Sequence, residues 1–66
     1  MNIEKNKFLI AMARGSFTVN SLAKKSGIGR VTISCIKNGK VTSVQPDTLG
    51  KLAAALGVDV TELIEN

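Results

Sequence analysis

The sequence predicts an all-α fold, a compact bundle of about five short helices. Glycines and helix-capping residues divide the chain into segments of helical length. Within several segments the apolar residues recur at three- and four-residue steps, as they do along one face of an α-helix. The one β-branched stretch, Val41–Val44, lies between Gly39 and Pro46 and has no hairpin partner, so we expect no sheet.

Length and composition limit what the chain can be. Its 66 residues predict one small domain, residues 1–66, and a core of modest size that dimerisation would support. A single cysteine, Cys35, rules out an internal disulfide and favours a reducing cytoplasm. Without histidine no zinc set can form, and we expect no cofactor. The longest apolar run, Phe8–Ala13, is too short to span a bilayer, so no membrane segment is expected.

The first two helices are each bounded by recognisable end signals. The first is predicted over Ile3–Arg14, with Gly15 as a left-handed C-terminal cap. Its stretch Phe8–Ala13 is apolar around most of the helix, a pattern typical of burial on more than one side. The second helix is predicted to begin near Thr18, whose hydroxyl can cap free N–H groups, and to end at Gly27.

The third helix is predicted over Gly29–Asn38, and Gly39 ends it. Ile33 and Ile36, three residues apart, form its buried face, and Ile28 packs just before it.

The last two helices follow a loop that ends near Gln45. Pro46 occupies the first position of the fourth helix, where its missing N–H is not needed, and Asp47 suits the positive end of the helix dipole. Gly57 closes this helix, and its core stripe is Leu49, Leu52, Ala53 and Leu56. Asp59 and Glu62 then form an acidic version of the capping box, which predicts a fifth helix.

The connection between the second and third helices is only Gly27–Gly29. So short a turn, with a glycine able to adopt positive φ, sets two helices at a steep angle. The small Ala23 allows close approach, while Ile33 and Ile36 fill the space between the helices. This is the packing of a DNA-binding helix-turn-helix, in which the second helix of the pair faces the major groove.

Charge is distributed unevenly along the chain, whose net charge is +4. The stretch from Lys5 to Pro46 has no acidic residue, and its basic residues are Lys5, Lys7, Arg14, Lys24, Lys25, Arg30, Lys37 and Lys40. The remainder, from Asp47 onward, holds four acidic residues and one lysine. A basic surface on the first two-thirds of the chain favours a polyanionic partner, although a lysine excess can also serve solubility alone.

A series of short motifs occurs in a fixed order between Phe8 and Ile64. They are Phe17-Thr18, Ser21–Ile28, Arg30–Ser34, Ile36, Asn38–Lys40, Thr48–Val58 and Glu62–Ile64. In this order and spacing they resemble the phage-repressor and Cro-like helix-turn-helix family, also called the xenobiotic-response-element type. The resemblance implies a lambda-repressor-like bundle that binds a duplex DNA operator through its third helix.

The resemblance also implies which residues read bases. They are the outward positions of the third helix, Arg30, Val31, Ser34 and Cys35. The forked guanidinium of Arg30 suits guanine O6 and N7, with a phosphate contact as its alternative. Val31 suits a thymine methyl group, and Ser34 can bond to either kind of base. Cys35 is either a small contact or filler, or a redox-sensitive thiol.

Contacts to phosphate are expected from helix starts and from the loop after the third helix. The candidates are Thr18, Val19, Gly29, Thr32, Lys37, Asn38 and Lys40. Two of them depart from the family pattern. Val19 stands where many relatives carry glutamine, so only its backbone N–H can bond, and Gly29 replaces the more usual serine cap at a cost of a few tenths of a kcal/mol. As an exposed residue, Lys37 has simple solvation as its alternative role.

These observations predict a sequence-specific transcriptional regulator, a repressor of phage or mobile-element type. The alternative is a protein-interaction module of the same fold, such as an anti-repressor, which an apolar or acidic outer face would favour. Catalysis is not expected, because no nucleophile and base can be paired, and neither is a small-molecule ligand. Single-stranded nucleic acid usually requires stacking aromatics, and both phenylalanines are expected in the core.

A single copy reading one half-site would bind weakly, so a two-fold homodimer is expected, unless a monomer pairs only on DNA. Its interface is predicted among the surplus apolar residues Ile10, Val41, Val44, Val60 and Ile64.

Overall fold

The computed structural model describes residues 1–65 as four α-helices followed by one 3₁₀ turn. The helices are α1 (Lys5–Arg14), α2 (Val19–Ser26), α3 (Arg30–Lys37) and α4 (Pro46–Leu56), and we call the 3₁₀ segment Val60–Glu62 the closing turn. No strand occurs within residues 1–65, so the all-α prediction is confirmed. The predicted count of about five helices is too high by one.

The start of α1 lies two residues later than predicted. The carboxylate of Glu4 caps the helix by accepting the N–H groups of Asn6 at 3.2 Å and Lys7 at 2.9 Å. The N–H of Ile3 instead donates to the carbonyl of Thr42 at 2.7 Å, and the Ile3 side chain is buried. Because its backbone pairs with a distant segment, Ile3 does not join the helix.

The end of α1 was predicted for the wrong reason. Gly15 has φ −95°, and the left-handed residue is Ser16, with φ 53°. Gly15 is needed for a different reason, since a Cβ there would collide with the Phe17 ring. The N–H of Phe17 bonds back to the carbonyl of Met12 at 2.9 Å, which folds the chain closely over the helix end.

The ends of α2, α3 and α4 follow the predicted signals. Thr18 caps α2, and Gly27 ends it with φ 76°. Gly39 has φ 77° after α3, and Pro46 is the first residue of α4. Each of these signals lies at the end of the segment that it bounds, so the local sequence is enough to indicate it.

The core lies where α1, α2, α3, α4 and the closing turn meet. The buried apolar residues are Ile3, Phe8, Ala11, Met12, Leu22, Ile33, Ile36, Leu49, Leu52, Ala53, Ala55, Leu56 and Leu63. The apolar stretch Phe8–Ala13 is less buried than predicted, because Ile10 is 54% exposed and Ala13 is also exposed. No helix in the described part of the chain is long and apolar enough to cross a membrane.

The closing turn replaces the fifth helix. Its capping box forms as predicted, with the carboxylate of Glu62 accepting the N–H of Asp59 and Asp59 accepting the N–H of Thr61. After one turn the backbone is used elsewhere. The carbonyl of Leu63 accepts the N–H of Glu4 at 2.8 Å, and the N–H of Glu65 donates to Asn2. The N-terminal segment therefore takes the hydrogen bonds that a longer helix would need.

The same N-terminal segment supplies the partner that Val41–Val44 lacks in the local sequence. Asn2 forms an isolated antiparallel bridge with Ser43, and Ile3 forms one with Ile64. The N–H of Val44 also donates to the carbonyl of Met1 at 2.9 Å. Residues 1–3 thus connect the loop after α3 to the end of the described chain.

These pairings reduce the surface predicted for dimerisation. Val44, Val60 and Ile64 are half-buried and pack against the core. Their prediction as surplus apolar residues is therefore wrong. Ile10, at 54% exposure, and Val41, at 36%, remain exposed.

Candidate nucleic-acid interface

The inner side of α3 fixes this helix to the rest of the domain. Ile33 and Ile36 are buried, and α3 packs against both α1 and α2. In the turn between α2 and α3, the N–H of Gly27 donates to Ala23 at 2.9 Å, and that of Ile28 donates to the Ser26 hydroxyl at 3.1 Å. The turn and the two isoleucines hold α3 in place and leave its opposite side on the surface.

The four residues predicted to read bases lie on α3, but at different depths. Arg30 and Val31 are exposed at its first turn, and Val31 has 78% of its surface accessible. Ser34 and Cys35, one turn later, are half-buried. The spacing i, i+1, i+4 and i+5 gives one continuous stripe. We call this stripe, made of Arg30, Val31, Ser34 and Cys35, the outer face of α3.

The start of α3 has no side-chain cap. Gly29 occupies the N-cap position in extended conformation, with φ −61° and ψ 144°, so serine would fit its backbone. A Cβ at Gly29 would meet no atom within 4 Å. Gly29 and Thr32 are both exposed, and the N–H groups of the first turn are open to an outside acceptor.

Arg30 contacts a residue that the sequence did not single out. Its Nη1 donates to Oδ1 of Asn20, in the first turn of α2, at 3.4 Å. Asn20 lies ten residues earlier in the chain, and the contact depends on how α2 and α3 cross. No local pattern signals it. Asn20, Arg30 and Lys24 help line a shallow depression beside the start of α3.

The predicted phosphate contacts at the start of α2 have different local roles. The Thr18 hydroxyl accepts the N–H of Ser21 at 3.1 Å, while the Ser21 hydroxyl accepts the N–H of Thr18 at 2.8 Å. Val19 is half-buried and packs against the core. The side chains of Thr18 and Val19 therefore stabilise α2. Val19 can bind an anion only through its backbone N–H.

The remaining predicted phosphate contacts lie at the end of α3, and all are exposed: Lys37, Asn38 and Lys40. The carbonyl of Cys35 accepts the N–H of Lys40 at 2.9 Å and that of Val41 at 3.2 Å, which fixes the loop. The stem of Lys5 also lies here, since a Cβ at Gly39 would be 3.3 Å from its Cδ. The sequence lists Lys5 among the basic residues but does not place it beside this loop.

Other charged residues bond to the closing turn and to the residues beside it. Lys7 Nζ donates to the carbonyl of Ile64 at 3.0 Å, and Arg14 forms an ion pair with Glu62 at 3.0 Å. The N–H and hydroxyl of Thr61 lower the pKa of the Asp59 carboxyl, and the N–H of Asp59 and then Arg14 lower the pKa of Glu62. Two of the basic residues between Lys5 and Pro46 are thus engaged away from α3.

Known sequences resemble most of the chain. Residues 7–66 match the Cro/C1-type HTH DNA-binding domain. The chain is also similar to the uncharacterized HTH-type transcriptional regulator RghRB of Bacillus subtilis (strain 168), with 51% identity over 47 residues. That match covers 71% of this chain and 34% of the relative, so the matched stretch spans about a third of the relative's length. No solved structure matches.

Proposed function

The chain belongs to the Cro/C1-type helix-turn-helix DNA-binding family, and we propose that it is a sequence-specific transcriptional regulator. The outer face of α3 carries this proposal. Arg30 and Val31 are exposed on a helix that Ile33 and Ile36 anchor from behind. The family binds DNA and is not defined by catalysis, so the protein acts by occupying a site on duplex DNA.

Base reading is concentrated at the start of α3. Arg30 offers two parallel donors to guanine O6 and N7 in the major groove, and Val31 offers a methyl surface to thymine. Ser34 and Cys35 are half-buried, so they contribute where the groove floor comes close to the helix. In this arrangement the first turn of α3 supplies most of the specificity.

Phosphate contacts flank this reading helix on both sides. The N–H of Val19 and those of Gly29 and Thr32 lie at helix starts that favour an anion, whereas the N–H of Thr18 is already bonded to the Ser21 hydroxyl. Lys37, Asn38 and Lys40 follow α3 on the exposed loop. Such contacts fix the register of the protein on the duplex and carry no sequence information themselves.

We further propose a repressor of phage or mobile-element type that works as a homodimer on cytoplasmic DNA. A two-fold dimer would read a palindromic operator whose half-sites lie roughly 34 Å apart. Of the apolar residues predicted for the interface, Ile10 and Val41 are exposed. A repressor of this kind acts by blocking access to the DNA that it covers.

The test is selection of bound sites from random duplex DNA, followed by affinity measurements on the selected site over a range of salt. We expect one enriched, two-fold symmetric sequence, and an affinity that falls linearly with salt on logarithmic axes as phosphate counterions are released. If no sequence is enriched, or if the affinity does not depend on salt, sequence-specific DNA binding is contradicted and the protein-interaction alternative is favoured.

A matched pair of charge removals sharpens this test. Arg30→Ala should relax the preference at one base pair by about 1–3 kcal/mol. Lys51→Ala removes the same charge from α4, outside the predicted contacts, and should leave the selected sequence unchanged. A uniform loss of affinity for Arg30→Ala across all sequences would assign Arg30 to phosphate instead.

A further inference from the structure

We propose that Asn20 is a positioning residue that orients Arg30, and that it thereby increases discrimination at the base pair that Arg30 reads. The inference rests on the proposed function and adds a specificity residue outside α3. It starts from the hydrogen bond between Nη1 of Arg30 and Oδ1 of Asn20, at 3.4 Å.

The fold does not need the Asn20 side chain. Asn20 is exposed on the first turn of α2, and Thr18 and Ser21 already form the complete capping box of that helix. Within residues 1–65, Arg30 is the hydrogen-bond partner of the Asn20 amide. The contact therefore joins the two helices on the side where α3 begins.

The donor geometry of arginine allows this contact and base reading together. A guanidinium has five N–H donors, and the amide oxygen of Asn20 takes one of them. The donors that remain, on Nε and Nη2 and the second on Nη1, still suffice for the two acceptors on the guanine edge. Asn20 can therefore bind one N–H of the guanidinium while the remaining donors face the major groove.

The neutral amide also suits this role electrostatically. A carboxylate at the same place would neutralise Arg30 and repel the DNA backbone, whereas an amide orients the guanidinium and leaves its charge intact. No acidic residue occurs between Lys5 and Pro46 in the sequence, and Lys24 lies one turn after Asn20 on α2. The surroundings of Arg30 are therefore cationic, with Asn20 as a neutral acceptor.

Orientation matters because a free arginine side chain has many rotamers, and some of them place the guanidinium against a phosphate instead of a base. Holding the guanidinium beside α2 restricts it before DNA arrives, which lowers the entropy lost on binding. Without Asn20, Arg30 should bind phosphate and base more evenly. The expected effect of removing Asn20 is thus a loss of discrimination at the base pair that Arg30 reads.

A double-mutant cycle tests this inference. Wild type, Asn20→Ala, Arg30→Ala and the double variant are titrated on the selected site and on a site substituted at the base pair read by Arg30. We expect Asn20→Ala to reduce discrimination there by roughly three- to ten-fold, as for side chains in direct contact, and to have no effect once Arg30 is absent. Circular dichroism confirms that each variant is folded.

Two further variants separate orientation from charge. Asn20→Asp keeps the acceptor oxygen, so it should retain discrimination at the Arg30 base pair while lowering affinity on all sites. Lys24→Ala removes a neighbouring cation and should lower affinity evenly, with the base preference unchanged. In the free protein, Asn20→Ala should increase the mobility of the Arg30 Nε–H in ¹⁵N relaxation measurements.

The outcomes also separate this inference from the proposed function. If the wild type binds no duplex DNA, the proposed function fails, and the inference fails with it. If the wild type binds specifically but the effects of Asn20→Ala and Arg30→Ala simply add, only the role of Asn20 is overturned. A loss for Asn20→Ala that persists without Arg30 also overturns it, because Asn20 would then contact DNA itself.

Discussion

The outer face of α3 and residues 59–64, which we call the closing end, differ in how their polar groups are satisfied. At the closing end, Arg14 pairs with Glu62, Lys7 donates to Ile64, and Asp59 binds the N–H of Thr61. At the start of α3, Gly29 provides no side-chain cap. On the outer face of α3, the side-chain hydrogen bond is that of Arg30 to Asn20. Groups that pair within the chain stabilise the fold, whereas the open groups of α3 are available to a partner.

The same contrast exists within α3 itself. Ile33 is fully buried and Val31 is 78% exposed, although they lie two positions apart on one helix. The helical period places them on opposite sides. A substitution at each position can therefore separate the contribution of α3 to folding from its contribution to binding.

The largest effect is expected from truncating the buried side. Ile33→Ala should lower the free energy of unfolding by about 2–5 kcal/mol, because it removes buried methyl groups and leaves a cavity. Val31→Ala should change it by less than about 0.5 kcal/mol, because its side chain is in solvent. Urea denaturation followed by circular dichroism measures both values.

Domains of this size have little stability to lose, so Ile33→Val serves as the milder variant, with an expected loss of about 0.5–1.5 kcal/mol. Val31→Ala should instead weaken binding to the selected DNA site. Equal losses of stability at positions 31 and 33 would contradict the assignment of inner and outer sides to α3.

The starts of α2 and α3 give an intermediate effect. Thr18→Ala removes the acceptor for the N–H of Ser21 and should cost about 1 kcal/mol of unfolding free energy. Gly29→Ser adds a cap where none exists and should gain only a few tenths of a kcal/mol. Thermal and urea unfolding of both variants compare the two helix starts.

The DNA affinity of Gly29→Ser should change in the opposite direction to its stability. A serine at Gly29 would occupy N–H groups that a phosphate is expected to use, so Gly29→Ser should bind DNA more weakly despite its added stability. If affinity instead rises with stability, the first turn of α3 does not contact phosphate.

The ends of α2, α3 and α4 could be predicted from the sequence because their signals are local. Thr18 and Gly27 bound α2, Gly39 follows α3, and Pro46 and Gly57 bound α4. The start of α1 and the single turn after Asp59 depend on distant contacts as well. Glu4 caps α1 locally, but Ile3 is held outside the helix by its bond to Thr42, and the chain after the closing turn pairs with residues 1–4, as Glu65 does with Asn2.

The candidate site also combines features that the local sequence predicts with features that depend on distant contacts. The order of Arg30, Val31, Ser34 and Cys35 on one face follows from helical periodicity, which sequence alone reveals. The depth of each residue does not, because it depends on what packs beside α3. The local sequence does not place Asn20 and Lys5 at the site, since each meets it through contact between different helices or loops, with Asn20 near Arg30 and Lys5 near Gly39.

The smallest effect is expected at the closing turn, where acid should weaken the fold. Hydrogen bonds from the N–H groups of Thr61 and Asp59 lower the pKa of Asp59 and Glu62, and Arg14 adds to the effect at Glu62. Because the folded pKa values lie below the unfolded ones, their stabilisation is complete above the ordinary carboxyl range. It is lost as the pH falls through the lowered folded values.

The double variant Asp59→Asn, Glu62→Gln should therefore be less stable than wild type at neutral pH, and the two should converge in acid. Urea midpoints measured between about pH 7 and pH 3 show this convergence. Glu65→Gln removes one charge outside the capping box and should follow the wild-type curve, whereas parallel curves for the double variant would contradict the prediction. Since no carboxyl group lies between Lys5 and Pro46, the same titration leaves the side-chain charge of the α3 surface unchanged, so the acid effect distinguishes the end that stabilises the fold from the face that is open to DNA.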